Sequence, residues 1–165
     1  MPGRSASAAP FCSAPASRCA PGSPLNDTEL TAGPEETERA GARLAATLAP
    51  GDVVLISGEL GAGKTTFVRG ALRSLGVEGP VTSPTFVVGH LHDGRHGPLA
   101  HLDLYRLAGM AGEDPGLLDP FFADDAIVFI EWPEHADEAW PAERVRHRVR
   151  LAHAGGDQRR IEVDR

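Results

Sequence analysis

The octet Gly58–Thr65 fits the pattern G-x-x-x-x-G-K-[ST] of a phosphate-binding loop. The short apolar run Val53–Ile56 precedes it, and a helical pattern follows from about Lys64 to Leu75, where Gly76 ends it. A buried strand, a glycine-rich turn and a helix in this order are typical of a parallel α/β sheet. The glycines let successive N–H groups face one concavity, and the helix start favours negative charge. The octet therefore predicts a site for a polyphosphate.

The use of lysine in this chain supports that interpretation. Fifteen of the 16 basic residues are arginine, and the single lysine, Lys64, lies inside the octet. A compact ammonium suits a phosphate cradle better than a planar guanidinium does, so we expect Lys64 to reach the β- and γ-phosphate oxygens. The hydroxyl of Thr65 is expected to be a Mg²⁺ ligand. A guanine-specific N-K-x-D element would need a second lysine, so we expect the base to be adenine.

Two carboxylates are candidates for the acidic partner that hydrolysis at such a loop requires. Glu131 ends the apolar run Ala126–Ile130, and Asp103 ends Leu-Ala-His-Leu-Asp. Ligands of open α/β sheets lie beyond the carboxyl ends of the strands, which is where both acids are expected. Either acid could hold Mg²⁺ or position the attacking water, and the alternative is an acid that caps a strand in solvent.

Three polar patterns lie near these acids. The loop Thr82–Thr85 could sense a γ-phosphate or could be a simple turn, since Ser, Thr and Pro favour turns. Period two would place His101, Asp103 and Tyr105 on one face of a strand. Arg106, which follows, could neutralise transition-state charge or could be a surface arginine.

Two further patterns, one of histidines and one of arginines, are weaker indications of function. Histidines at positions 90, 92 and 96 have no regular ligand spacing, so no metal site is predicted there. Arginines alternate at positions 144, 146, 148 and 150, which predicts one basic face along a strand. That face could contact RNA phosphate or an acidic partner, or it could protect a sheet edge from aggregation. The net charge of −7 argues against a protein that binds polyanions through bulk charge.

Composition separates a tail from the rest of the 165-residue chain. Residues 1–25 consist mainly of Ala, Ser, Pro and Gly, and the first acidic residue is Asp27. Such a segment buries too little apolar surface to offset its ordering entropy. We therefore expect 1–25 to be a disordered extension and 26–165 to form one domain. The Ser- and Arg-rich, acid-poor character of the tail is also found in organellar transit peptides.

The remaining patterns complete an α/β fold. They predict helices from Pro34 towards Pro50 and at Glu134–Trp140, and strands at Thr85–His92, Leu99–Leu104 and Ala126–Ile130. The alternating runs Val145–Leu151 and Arg160–Val163 flank Gly155-Gly156, which predicts an antiparallel hairpin at the sheet edge. The expected class is a P-loop NTPase-like three-layer fold with a mostly parallel central sheet. No run approaches the roughly 18 apolar residues of a membrane span, and two cysteines in the tail make no disulfide scaffold.

Four motifs follow one another in a specific order. They are Gly-Glu-Leu-Gly-Ala-Gly-Lys-Thr-Thr at Gly58–Thr66, Val-Thr-Ser-Pro-Thr-Phe at Val81–Phe86, His-Leu-Asp-Leu-Tyr-Arg at His101–Arg106 and Ile-Glu-Trp at Ile130–Trp132. The first motif alone indicates only a nucleotide-binding protein. The four together resemble the TsaE family, small bacterial ATPases needed to make threonylcarbamoyladenosine in tRNA. The resemblance covers nearly all of the predicted domain. The N-terminal tail departs from it, as does the short segment Leu107–Asp119 with its extra Gly and Pro.

The resemblance implies a cytoplasmic protein that binds ATP and Mg²⁺ and hydrolyses ATP weakly alone. It implies the partners TsaB and TsaD, of which TsaD carries out the transfer to tRNA, while ATP hydrolysis resets the TsaB–TsaD complex. Contact with tRNA would be indirect or through that complex, and no membrane would be involved. A small P-loop kinase and a nucleotide-dependent binding switch with negligible turnover remain as alternatives.

The loop pattern and the resemblance together assign roles to individual residues. The expected metal ligands are Thr65, Asp103 and Glu131, and the expected catalytic residues are Glu131, Asp103 and Lys64. Trp132 is expected close to the nucleotide because it lies in the family's Ile-Glu-Trp motif. The expected nucleotide contacts are Glu59, Leu60, Gly61, Ala62, Gly63, Lys64, Thr65, Thr66 and Trp132.

Overall fold

The computed structural model describes residues 27–84, 88–107, 116–136 and 140–164. The predicted tail 1–25 lies outside the described residues, as do both end residues of the predicted domain 26–165. The helices and strands are, in chain order, β1 (Thr28–Thr31), α1 (Pro34–Ala45), β2 (Val53–Gly58), α2 (Lys64–Ser74), β3 (Gly89–Gly94), β4 (Gly97–Asp103), β5 (Ile127–Glu131), β6 (Val145–Gly155) and β7 (Gln158–Asp164). Among the described residues, no helix is long and apolar enough to cross a bilayer.

The described strands form one sheet in the order β1-β7-β6-β2-β5-β4-β3. The four central strands β6, β2, β5 and β4 run parallel, and the outer strands β7, β1 and β3 are antiparallel to their inner neighbours. This arrangement confirms the predicted P-loop NTPase-like α/β class and the β6–β7 hairpin. Strand β1, which the sequence analysis did not predict, pairs with β7 and so lies outside that hairpin. Only four residues long, β1 carries too short an apolar pattern to be recognised locally.

Both described helices pack on one face of the sheet. Side chains such as Leu44 from α1 and Phe67 from α2 join Ile56 and Phe129 of the sheet in one buried cluster. The helices touch through glycines, because a Cβ at Gly41 or Gly70 would come within 2.0 Å of a carbonyl oxygen of the other helix. The two helices therefore pack backbone against backbone at these glycines.

The opposite face of the sheet is covered differently. Its buried cluster contains Leu55, Leu102 and Ile130 from the strands, together with Leu118 and Trp140 from the connecting segments. The described parts of those segments form short 3-10 turns rather than α-helices. One such turn, Pro133–His135, replaces the start of the helix predicted at Glu134–Trp140. Ala136 after it has an extended backbone, and residues 137–139 of the predicted helix lie outside the described residues.

The start of one predicted strand moves at the other end of the sheet. The strand predicted at Thr85–His92 begins at Gly89 in the described residues, and residues 85–87 lie outside them. It pairs with β4 as a tight antiparallel hairpin whose ends meet at Gly94 and Gly97. That hairpin places β3 at the sheet edge and β4 inside it, beside β5.

Candidate functional site

The octet lies between the end of β2 and the start of α2, as predicted. Gly58 has φ 140°, and a Cβ there would come within 2.2 Å of the Leu151 carbonyl oxygen on β6. A larger residue would therefore displace the loop from the sheet. Gly63 begins α2 in the left-handed conformation, and no described side chain caps this helix start. Its first N–H groups and the positive end of the helix dipole are therefore available to an anion.

The ammonium of Lys64 is held at the mouth of this loop. Its Nζ donates hydrogen bonds to the carbonyl oxygens of Gly58 (2.7 Å) and Glu59 (2.9 Å), and it lies 3.6 Å from the centroid of the Trp132 ring. Burial lowers the pKa of Lys64 below its usual value, although nearby carboxylates, first that of Glu131, oppose this shift. Only 4% of Lys64 is exposed, so its charge is poorly hydrated and available to a polyphosphate.

The carboxylate of Glu131 joins three elements of the site. It lies at the end of β5 and is 2% exposed. Its Oε2 accepts a hydrogen bond from the Thr65 hydroxyl at the start of α2 (3.0 Å), and its Oε1 lies 2.8 Å from Nε2 of His101 on β4. The sequence analysis selected Thr65, His101 and Glu131 but did not pair them. The sequences of β4 and β5 do not reveal that the two strands are neighbours in the sheet.

The second predicted acid, Asp103, lies beside Glu131 in the register of β4 and β5. One of its oxygens accepts a hydrogen bond from the Tyr105 amide (3.1 Å), and the other accepts a short bond from the Ser83 hydroxyl. The structure therefore brings the loop after α2 to the site through Ser83. Thr85, at the end of the predicted loop, lies outside the described residues.

The prediction that His101, Asp103 and Tyr105 share one strand face is wrong for Tyr105. Strand β4 ends at Asp103, and Tyr105 begins a 3-10 turn. The amide of Tyr105 bends back to the Asp103 carboxylate, which ends the alternation of the strand. Tyr105 is 45% exposed, whereas His101 is fully buried.

An aromatic cluster covers the lysine. The Trp132 ring lies 4.9 Å from that of Tyr105 and stacks on that of His135 at 5.3 Å, with an interplanar angle of 18°. Trp132 has φ 59°, a left-handed conformation that no other non-glycine residue adopts in the described part of the chain. A bulky residue held in this conformation is more frequent at functional sites than elsewhere. The backbone thus turns the Trp132 ring over Lys64.

A cavity of about 630 Å³ opens between these elements. Lys64, Thr65, Asp103, Glu131 and Trp132 line it, as do Leu60, Gly61, Gly63 and Thr66 from the predicted nucleotide contacts. Glu59 and Ala62 do not line it, and Ala62 is fully buried in the core. Arg106 also lines the cavity, and so do the apolar residues Val88, Leu107 and Leu117.

The histidines at positions 90, 92 and 96 lie on β3 and in the turn that follows it. Burial and the neighbouring His101 and His90 lower the pKa of His92, while His96 lies in the exposed turn. Within the described residues, no group of three or more His, Cys, Asp and Glu side chains could hold a metal ion. A metal ion at the loop would therefore need oxygen ligands beyond the two acids.

The alternating arginines divide into two kinds. Arg146, Arg148 and Arg150 are exposed on one face of β6, which pairs on both sides and is not a sheet edge. Arg144 lies before β6 and is structural, since its guanidinium donates hydrogen bonds to the carbonyl oxygens of Gly51, Phe122, Ala123 and Ala126. The predicted continuous face therefore loses its first member.

Fold and site together define the class of this protein, which is P-loop NTPase-like and has acidic side chains at the ends of two neighbouring parallel strands. The sequence model of the family described as "Threonylcarbamoyl adenosine biosynthesis protein TsaE" matches residues 31–161. The chain belongs to this family.

Individual relatives agree with the family match. The "tRNA threonylcarbamoyladenosine biosynthesis protein TsaE" of Streptomyces coelicolor is 45% identical over 119 residues, which are 71% of this chain and 79% of that protein. The protein of the same name from Bacillus subtilis is 39% identical over 131 residues, which are 79% and 80% of the two chains. The crystal structure of Bacillus subtilis YdiB superposes with a TM-score of 0.67 at 35% identity and covers 82% of both chains.

Proposed function

We propose that the protein binds Mg-ATP at the loop Gly58–Thr66 and hydrolyses it in support of threonylcarbamoyladenosine formation in tRNA, together with TsaB and TsaD. The observation that carries this proposal is the convergence of Lys64, Thr65 and Glu131 at the start of α2. An ammonium, a hydroxyl and a carboxylate around uncapped helix amides are the groups that phosphoryl transfer requires. Membership of the TsaE family supports the tRNA pathway.

The oxygen donors at the site fit Mg²⁺. Hydroxyl and carboxylate oxygens are its preferred protein ligands, and it usually takes only one or two carboxylates, with phosphate oxygens and water completing the octahedron. Thr65, Glu131 and Asp103 would hold the ion, and Thr65 already contacts Glu131. When bound, Mg²⁺ would neutralise charge on the β- and γ-phosphate oxygens.

Different residues of the chain have different roles in this reaction. The amides of the loop and the start of α2 bind the phosphates, and Lys64 adds a charge that burial leaves poorly hydrated. Glu131 orients the Mg²⁺ ligand shell or the attacking water from a fixed position at the end of β5. Asp103 links the site to the loop after α2 through Ser83, so a change at the phosphates can reach the surface there.

Phosphate release by the purified chain, with and without a matched TsaB–TsaD pair, tests the proposal. We expect slow release alone and faster release with the pair. In parallel, tRNA from cells depleted of the protein should lose the modified nucleoside. A wild-type level of the nucleoside in depleted cells, combined with no stimulation by the pair, would contradict the proposal.

A small-molecule kinase is the second candidate because apolar residues outside the loop, Val88, Leu107 and Leu117, also line the cavity. That space could hold an acceptor. A screen for phosphorylated products distinguishes this candidate from an ATPase. A nucleotide-dependent binding switch would show negligible turnover, and its affinity for the partners would differ between ATP and ADP.

A further inference from the structure

The geometry points to His101 as a positioning residue that fixes the carboxylate of Glu131 for ATP hydrolysis, an inference that rests on the proposed function. His101 lies near the end of β4 and is fully buried, and its Nε2 is 2.8 Å from Oε1 of Glu131. It is bonded to the acid and does not line the cavity at the loop, so any effect on hydrolysis would pass through Glu131.

The hydrogen-bond network assigns the tautomer of His101. Its Nδ1 is buried and has no hydrogen-bond partner among the described residues. A proton on Nδ1 would bury an N–H without an acceptor, whereas the neutral ring protonated at Nε2 leaves only a lone pair unsatisfied. His101 therefore donates through Nε2, and Glu131 accepts through Oε1.

Glu131 needs such a partner because its own torsions do not define the carboxylate plane. The terminal torsion of a glutamate is broad and two-fold rather than confined to a staggered well. Two donors on different oxygens, His101 on Oε1 and Thr65 on Oε2, define that plane. Thr65 is also a proposed metal ligand. Its oxygen can bind Mg²⁺ through a lone pair while the O–H still donates to Glu131, so the direction of that hydrogen bond follows the bound ion. His101 is the donor whose position does not depend on the nucleotide.

The sheet makes His101 a rigid support. Strand β4 is hydrogen-bonded on both sides, with His90 of β3 opposite His101 in one register and Phe129 of β5 in the other. The enclosed ring cannot swing away, because protein interiors are close-packed. A side chain that is locked by packing and hydrogen-bonded to a functional acid is the usual way to hold such an acid in place.

The competing explanation is that His101 only satisfies a buried carboxylate and stabilises the fold. Two amide substitutions separate the explanations. His101→Gln can place a donor near the position of Nε2, whereas His101→Asn keeps an amide but places it near Nδ1, too far from Glu131. Both variants are measured alone and combined with Glu131→Ala, in the presence of the TsaB–TsaD pair, together with melting temperatures.

We expect His101→Asn to lower kcat by roughly 10–100-fold, as loss of an outer supporting bond does, with KM for ATP changed much less. His101→Gln should recover most of kcat. In the Glu131→Ala background, His101→Asn should cause no further loss. Nitrogen NMR of the nucleotide-free protein should show the Nε2-protonated ring of His101, and its signals should shift in Glu131→Ala.

Three results would overturn the inference. They are a normal kcat in a folded His101→Asn variant, equal kcat losses with Gln and Asn, and an undiminished loss in the Glu131→Ala background. If the wild-type protein with its TsaB–TsaD pair releases no phosphate, both the proposed function and the inference that rests on it fail. Normal wild-type turnover with an unaffected Asn variant rejects the role of His101 alone.

Discussion

The hydroxyl of Thr65 donates a 3.0 Å hydrogen bond to Oε2 of Glu131 and so joins the start of α2 to the end of β5. The two residues are 66 positions apart in the chain. Strand β5 pairs in parallel with β2, whose end leads into the loop, so the sheet brings both residues to one edge. A residue proposed to bind phosphate and metal thus lies beside the acid proposed to act in hydrolysis.

Lys64→Ala is expected to weaken Mg-ATP binding by about 3 kcal/mol, or roughly 100-fold, since a charge-assisted hydrogen bond to phosphate is lost from a poorly hydrated site. Lys64→Arg should not restore affinity, because a planar fork does not fit where Nζ lies between two carbonyl oxygens and the Trp132 ring. Titration calorimetry checks both variants. Near wild-type affinity in folded Lys64→Ala would reject the loop as the nucleotide site.

Glu131→Ala is expected to keep most of its affinity for ATP while its turnover falls by about 100-fold or more, because the amides and Lys64 bind the phosphates without it. Asp103→Ala should lower turnover less, since Asp103 is only partly buried and also binds Ser83. Phosphate release and ATP affinity are measured for both variants and for the exposed control Glu143→Ala. Unchanged turnover in Glu131→Ala, together with complete loss of turnover in Asp103→Ala, would show that Asp103 rather than Glu131 is the acid required for hydrolysis.

Gly70→Ala is expected to destabilise the protein by about 1–3 kcal/mol, because the added methyl would overlap the Glu38 carbonyl of α1. In an open helix the same change would stabilise by about 1 kcal/mol, so the sign of the effect tests the packing. Thermal unfolding of Gly70→Ala is compared with that of Arg39→Ala on the exposed side of α1. A raised melting temperature for Gly70→Ala would show that the helices do not touch there.

Arg144→Ala is expected to cost about 1–3 kcal/mol of stability, since the carbonyl oxygens that its guanidinium satisfies would lose their donor. Arg146→Ala is the matched control, because that side chain is exposed on β6 and should change stability by less than about 0.5 kcal/mol. Denaturant unfolding measures both. Equal changes in stability for the two variants would show that Arg144 is an exposed arginine of the basic face and has no structural role.

The local pattern of the chain predicted much of this structure. The apolar run before Gly58, the glycines of the loop and the helical spacing after Lys64 depend on residues close together in sequence, and β2 and α2 lie where they were expected. The acids at 103 and 131 were also recognisable, because each ends an apolar strand. The family resemblance rested on the same local motifs and is confirmed. The roles assigned to individual site residues stay predictions.

Contacts between distant segments were not recognisable in the sequence. The pairing of His101 with Glu131, the turn of Trp132 over Lys64 and the addition of β1 to the sheet depend on which strands become neighbours. Tyr105 is a further example. Period-two alternation predicted that it shares a strand face with Asp103, but its amide binds the Asp103 carboxylate and the strand ends there. Periodicity reflects which face of an element is buried, whereas strand order and side-chain partners follow from the packing of the whole chain.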